Sequence, residues 1–248
     1  MSSCVKRIGV LGGMGPLATQ LFYGMVISNT VAEKDQDHID MIILNCASMP
    51  DRTQALLSGD TQSLYLRLLD ECYFLENSGV SHIVIPCNTA HFFVERLQSQ
   101  LKTPVINMIY EVVKDLKKIN ERAGERDEER MKVGILATDG TVKLGVYQAE
   151  LEKNGFLPVI LSDENQKRVM KIIYDGIKNG GEIDFKDFEE IEKEMKTKGC
   201  TYVIMGCTEL SCFMEMYNIS QGFYIDAMKT LAVRTIEAAG KSIISLLP

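Results

Sequence analysis

No apolar stretch in this chain approaches the roughly 18 residues that a membrane-spanning helix needs, so no helical span and no membrane partner are expected. Paired cysteine spacing is missing as well. The chain carries seven cysteines, an odd number, yet no C-x-x-C, and because Met1-Ser2-Ser3-Cys4-Val5-Lys6-Arg7 runs straight into the first strand, no secretory signal is expected. Reduced thiols in a cytoplasmic protein are therefore expected, rather than a disulfide frame. Basic charge is in short supply: 27 Lys and Arg stand against 34 Asp and Glu, for a net charge of −7. No basic face clusters, and phosphate binding needs one, which removes nucleic acid from the expected partners. The same acidity is mildly unfavourable for steering in an acidic small molecule, so such a ligand would need specific cations or helix ends at its site. With no long disordered tract, 248 residues and 46% hydrophobic content suit one large domain or two small ones.

What is present is organised around one stretch, Ile83-Val84-Ile85-Pro86-Cys87-Asn88-Thr89-Ala90-His91, answered by Val203-Ile204-Met205-Gly206-Cys207-Thr208-Glu209-Leu210. Each copy is a β-branched run that ends in a rigid or small residue, then a cysteine, then a threonine able to cap a following helix. Each cysteine is thus expected at the carboxyl end of a strand and the amino end of a helix, where open α/β sheets bind ligands and where a thiolate's pKa should fall. Ile8-Gly9-Val10-Leu11 likewise pairs with Val133-Gly134-Ile135-Leu136, and Val105-Ile106-Asn107-Met108 with Tyr224-Ile225-Asp226-Ala227. From 8 to 133, 87 to 207 and 105 to 224 the offsets are 125, 120 and 119 residues, which marks a duplicated βα unit. The expected fold class is α/β: two similar parallel-sheet domains related by a pseudo-twofold, with the active site in the cleft between them. Expected boundaries are 1–107 plus 227–248 for an N-terminal domain completed by the C-terminal helix, and 108–226 for the second.

In order, the strand Lys6 to Leu11 feeds Gly12-Gly13-Met14-Gly15-Pro16 and a helix from about Leu17 to Val31. Gly13, Gly15 and Ala18 fit a loose G-x-G-x-x-A pattern, but the next strand, Met41 to Leu44, ends in Asn45-Cys46 where a ribose-binding acid belongs. A tight turn that lets backbone approach a neighbour, such as a substrate, is the better reading. The polar loop Ala47 to Thr53 puts Arg52 on the same rim as Cys87, where a guanidinium could fork onto a carboxylate. Helices are expected at Thr61–Asn77, Ala90–Leu101 and Tyr110–Ile119, with a short strand at Val105–Asn107 and a charged linker at Glu121–Arg130. The second copy reads as strand Lys132–Leu136, loop Ala137–Thr141, a helix through Tyr147 to Lys153 and strand Leu157–Leu161. Helices near Gln166–Asn179 and Phe185–Lys198, strand Tyr202–Met205, a helix after Thr208, strand Phe223–Asp226 and a helix Met228–Leu246 complete it.

Cys4, Cys46, Cys72, Cys200 and Cys212 read as small buried hydrophobes. Cys200, Cys207 and Cys212 are too irregularly spaced for a zinc site, and no metal is expected. A cysteine protease needs one nucleophile and a partner base, not two equivalent thiols. Two acid/base groups on opposite faces of one carbon are what stereoinversion requires.

Gly9-Val10-Leu11-Gly12-Gly13-Met14-Gly15-Pro16, Pro50-Asp51-Arg52-Thr53, Pro86-Cys87-Asn88-Thr89-Ala90-His91, Ala137-Thr138-Asp139-Gly140-Thr141 and Gly206-Cys207-Thr208-Glu209 together resemble the aspartate/glutamate racemase superfamily, aspartate racemase branch. The resemblance covers nearly the whole chain and implies a cofactor-independent amino acid racemase of two α/β domains, a homodimer acting on a small amino acid. It implies Cys87 and Cys207 as the catalytic thiols, and Met14, Asn88, Thr89, Thr138 and Thr208 as substrate-binding residues. Arg52 would bind one carboxylate, with Lys178 in Ile173-Tyr174-Asp175-Gly176-Ile177-Lys178 as the second cation. Thr208-Glu209 replaces the Thr-His of glutamate racemases, which favours aspartate; His91 and Glu209 could either tune the thiols or merely cap and pack. The alternatives are a glutamate or broader amino acid racemase, a hydantoin racemase, maleate isomerase or arylmalonate decarboxylase, and a non-catalytic amino acid sensor.

Overall fold

The computed structural model describes residues 6–123 and 130–244, so most of the expected linker Glu121–Arg130 lies outside the described residues. The chain divides into two compact units, one running to Met108 and resuming at Met228, the other Ile109–Ala227. Both are parallel α/β units.

The first unit opens with β1 (Ile8–Gly12), buried along its whole length, and α1 (Pro16–Asn29), with proline in the first turn, where its missing N–H costs nothing. Next come β2 (Met41–Asn45), α2 (Arg52–Ser58), α3 (Thr61–Asn77) and β3 (His82–Val84). β1 lies between β2 and β3, parallel to both, with Ile8 opposite Met41 and His82. α3 has the expected bounds. α2 falls where a loop was expected: Asp51 accepts the Gln54 N–H at its start, and Gly59 closes it at φ +82°. The expected helix from Ala90 instead begins as a 3-10 turn, Thr89–Phe93, before α4 (Val94–Gln98). The expected strand at Val105 shrinks to a single bridge from Val105 to Ile83.

The second unit takes in α5 (Met108–Ala123), β4 (Lys132–Leu136), α6 (Asp139–Leu144), α7 (Val146–Lys153) and β5 (Leu157–Val159). It continues with α8 (Asp163–Lys171), α9 (Phe185–Thr197), β6 (Tyr202–Met205), α10 (Thr208–Met216) and β7 (Tyr224–Asp226). Its parallel sheet has the order β5-β4-β6-β7, with Gly134 opposite Val203 and Ile204 opposite Ile225. The helix expected at Gln166–Asn179 is two segments, because Ile172–Lys178 winds as a π-helix that carries Lys178 at its end. The chain then returns to the first unit as α11 (Ala227–Ala238), which stops well short of Leu246: Gly240 turns at φ +75° and Ile243 forms an antiparallel bridge to Thr30.

The inner strands β1, β4 and β6 are buried at successive residues and so on both faces, which is why they read as apolar runs without alternation. Leu11, Leu64, Leu68, Leu75, Ile83 and Ile85 fill the first core, and Val133, Ile135, Val203, Ile204 and Phe213 the second. Among the described residues, no helix is long and apolar enough to cross a membrane.

One polar junction fixes the entry to α8. Ser162, its cap, donates to Glu194 of α9 through both N–H at 2.7 Å and Oγ at 2.8 Å, and Lys198 Nζ pairs with Glu194 at 2.7 Å; Asn165 also donates to it. Partial burial opposes the charge, but the bonds from Lys198, Ser162 and Asn165 win and hold Glu194 at about 2, below its usual 4.5. A depressed carboxylate stabilises the fold above its unfolded pKa and loses that contribution as pH falls through its folded one. Glu194→Gln is therefore expected to lower the urea midpoint at neutral pH, with the deficit full above pH 4.5 and shrinking toward zero near pH 2. Urea titrations of both proteins across that range check it.

Candidate active site

In the first unit, β3 runs through Ile85 and Pro86 to Cys87, and the 3-10 turn follows at once. Cys87 is 5% exposed, with Asn88 and Thr89 buried beside it. No side chain caps this turn, so Thr89 does not play the capping part its position suggested. His91 Nδ1 lies 2.9 Å from the Cys87 carbonyl, which can only accept, so Nδ1 carries the proton. Burial pushes the His91 pKa down and keeps the ring neutral, although carbonyl contacts from Cys87 and Ile106 work the other way.

Arg52 is not a solvated loop residue. It opens α2 and is 8% exposed, with Nη2 donating to the Met14 carbonyl at 3.0 Å and Nη1 to the carbonyls of Pro50 at 3.0 Å and Met49 at 3.4 Å. Its guanidinium thereby ties the loop after β2 to the glycine loop after β1. Met14, Met49 and Cys87 belong to one buried cluster.

The glycine loop does approach something closely: at Gly13 that neighbour is protein backbone. A Cβ on Gly13, which sits at φ +88°, would lie 2.3 Å from the Cys46 nitrogen and 2.6 Å from its carbonyl carbon. Cys46 N–H donates to Gly12 O at 3.1 Å, and the Gly13 N–H donates to Thr19 Oγ1 at 2.8 Å.

In the second unit, Gly206 leads from β6 to Cys207, which occupies the N-cap position of α10 and is likewise 5% exposed. Its thiol donates to Glu209 Oε2 at 2.9 Å, and Thr208 Oγ1 donates to the same oxygen at 3.3 Å, so Thr208 serves the carboxylate and not the helix cap. The other carboxylate oxygen of the buried Glu209 lies 3.7 Å from Lys178 Nζ, which also stands 4.4 Å from the Tyr174 ring centre. Lys178, expected as a cation for substrate, is in this structure the ion-pair partner of Glu209. Burial, the Glu209 charge and the thiol–carboxylate bond together push the Cys207 pKa well up, with Lys178 opposing. This corrects the expectation that its helix would lower it.

Thr138 follows β4, beside β6, and caps α6 by accepting from Thr141 N–H. Behind Cys207 lie residues that motif reading did not single out. The buried Tyr147 ring packs on Gly206, where an added Cβ would meet Tyr147 Cε2 at 3.0 Å, and Ser211 of α10 donates to the buried Asp226 of β7 at 2.6 Å. Unlike Glu209, which is readable as a carboxylate two residues from a cysteine, neither contact leaves a trace in the sequence. The structure thus gathers Met14, Arg52 and Cys87 with its neighbours in one unit, and Thr138, Lys178, Cys207 and Thr208 in the other.

A family model described as Asp/Glu/hydantoin racemase matches residues 11–235. The chain belongs to this family. A solved structure, the Picrophilus torridus aspartate racemase, is similar with a TM-score of 0.78 at 30% identity, covering 96% of each chain. The broad specificity amino-acid racemase RacX of Bacillus subtilis is 28% identical over 239 residues, 92% of this chain and 96% of that one. The glutamate racemase of Aquifex pyrophilus is 36% identical over 140 residues, 54% of this chain and 48% of that one. Racemase family membership makes amino-acid racemisation the supported class of reaction, and a small-molecule amino acid the fitting class of substrate.

Gly13→Ala tests the loop. A side chain there must adopt φ +88° and displace the Cys46 backbone, so stability is expected to fall by about 2 kcal/mol or more, read from urea melts.

Proposed function

We propose that this racemase inverts an acidic amino acid, most simply aspartate, by two-base proton transfer between Cys87 and Cys207 without a cofactor. The observation that carries the reading is the repeated placement of a buried cysteine at a strand's carboxyl end, once in each unit. In each turnover one thiolate takes the Cα proton: the Cα–H bond breaks and an S–H bond forms. The other thiol then gives its proton to the opposite face, so that its S–H bond breaks and a new Cα–H bond forms. The reading requires both thiols to address one substrate carbon. A Cα proton of an amino acid is weakly acidic, so stabilisation of the developing carbanion by fixed charge and dipoles must supply much of the rate.

Aspartate is favoured by the likeness to the Picrophilus torridus enzyme and by Arg52, a buried cation held by three carbonyls. The likeness to the broad specificity enzyme of Bacillus subtilis favours a wider amino acid range as the second reading. A panel of L-amino acids, incubated without added cofactor and resolved by chiral chromatography, separates the two: conversion of aspartate alone supports the first, and equal conversion of neutral amino acids the second.

Arg52→Lys keeps the charge but loses the planar fork. Aspartate turnover is expected to fall by roughly tenfold or more, the equivalent of about one lost charge-assisted hydrogen bond. Normal aspartate kinetics in that variant would remove Arg52 from substrate binding.

A serine hydroxyl is a far weaker acid than a thiol, so Cys87→Ser and Cys207→Ser should each abolish net racemisation. Each variant keeps one thiol capable of slow hydrogen exchange with one enantiomer only, so in deuterated water the two should label opposite enantiomers at Cα. Racemisation at the parental rate by either variant overturns the two-thiol mechanism.

A further inference from the structure

The two half-sites share a backbone plan but not a charge plan. Two residues beyond Cys207 stands Glu209, with its carboxylate 2.9 Å from the thiol sulfur; two residues beyond Cys87 stands Thr89, which has no charge. The histidine nearest Cys87 in sequence is held neutral and spends Nδ1 on the Cys87 carbonyl. We propose that Glu209 keeps Cys207 in its thiol form in the resting enzyme, so that Cys207 is the standing proton donor and Cys87 the standing base. The proposal rests on the two-thiol reading and adds the protonation state in which the enzyme waits for substrate.

The geometry supports it from three sides. A carboxylate accepts from an S–H but repels a thiolate, so the contact at 2.9 Å favours the protonated sulfur. Asp226 and Tyr147 face the same region from β7 and α7 and bring no positive charge, and Cys212 on α10 brings none either. Lys178, from the π-helical segment, is the cation of this group, and it reaches the far oxygen of Glu209 at 3.7 Å rather than the sulfur. Burial, Glu209 and the thiol hydrogen bond accordingly raise the Cys207 pKa, while Lys178 and the Glu209 backbone N–H pull it down. The resting cycle then runs in one order. Cys87 thiolate takes the Cα proton, the Cys207 S–H bond breaks as its proton reaches the other face of Cα, and solvent resets both sulfurs once product leaves. Glu209 acts through the sulfur from which it accepts a hydrogen bond, which makes it a positioning residue.

Alkylation of the intact protein by iodoacetamide, with each cysteine peptide quantified by mass spectrometry over a pH series, tests this. Cys87 and Cys207 are both 5% exposed, and thiolate content is read from the pH at which each labelling rate rises and not from the rate alone. At neutral pH Cys87 should label about tenfold faster or more than Cys207. Removing an adjacent like charge shifts a thiol by one pKa unit or more, worth about threefold in rate after the loss of nucleophilicity. Glu209→Gln should therefore speed Cys207 labelling at least about threefold and leave Cys87 unchanged. Lys178→Met should do the reverse and slow Cys207, which a loosened fold cannot mimic, since loosening only speeds labelling and also exposes the fully buried Cys72. Parental Cys207 labelling as fast as Cys87, no change in Glu209→Gln, or no slowing in Lys178→Met overturns the proposal. Labelling reads protonation whether or not the protein racemises, so this outcome is separate from that of the racemisation assays.

Discussion

Parallel strand pairing places everything else. Because β1, β2 and β3 run the same way, their carboxyl ends share one edge of the first sheet, and the segments that follow that edge hold Met14, Arg52 at the start of α2, and Cys87. The same rule puts Thr138 after β4, Cys207 after β6 and Asp226 at the end of β7 on one edge of the second sheet. An antiparallel sheet would send alternate loops to opposite edges and scatter these groups. The glycine loop contributes by bringing β1 and β2 exits into backbone contact, and Arg52 then bridges those exits with its guanidinium.

Which force governs a thiol at a helix start is a matter of magnitude. The helix macrodipole is worth about 0.3–1 kcal/mol to a charge near its end, and up to about 2 in a partly buried geometry. Desolvation of a fully buried ionisable group reaches about 3–5 pKa units, several times more, and an adjacent like charge adds to it. At Cys207 both of the larger effects are present, through burial and Glu209, and both act against the thiolate. The dipole therefore sets the address of the cysteine without setting its protonation.

The legible part of the fold was the part written in backbone-compatible runs. β1, β4 and β6 are apolar and β-branched, and the repeat of Cys87 by Cys207 is enough to put each cysteine just past a strand, one in each unit. α3 was legible to both its ends. α2 was not, since seven residues between a proline and a glycine carry too short a period to stand out, and only the cap of Asp51 on Gln54 marks it. The π-helical winding of Ile172–Lys178 leaves the composition of an ordinary helix unchanged, so its effect on where Lys178 points is settled by packing. Val105 looked like a strand because it is apolar and follows a proline, yet one bridge to Ile83 is all the pairing it finds. Glu209 was visible as a residue, but its partner was not. A carboxylate two positions past a cysteine reads equally as a helix-start acid or a thiol's neighbour, and only the 2.9 Å contact decides.

Under the proposed function, unequal halves are compatible with a symmetrical reaction. Enantiomers have equal free energy in water, so the equilibrium constant is unity and kcat/KM must match in the two directions, whatever surrounds each thiol. Duplication is therefore free to preserve the strand–cysteine–helix path, which the chemistry needs twice, while the side chains two residues on diverge to Thr89 and Glu209. Their divergence is confined to quantities that equilibrium does not tie: the resting protonation state, and the division of each direction's efficiency between kcat and KM. A two-base mechanism needs one sulfur charged and one protonated at every moment. Two identical sites would leave the free enzyme divided among two competent forms, a doubly protonated and a doubly ionised form, and a fixed carboxylate beside one thiol disfavours both forms in which that thiol is ionised, leaving one of the two competent forms.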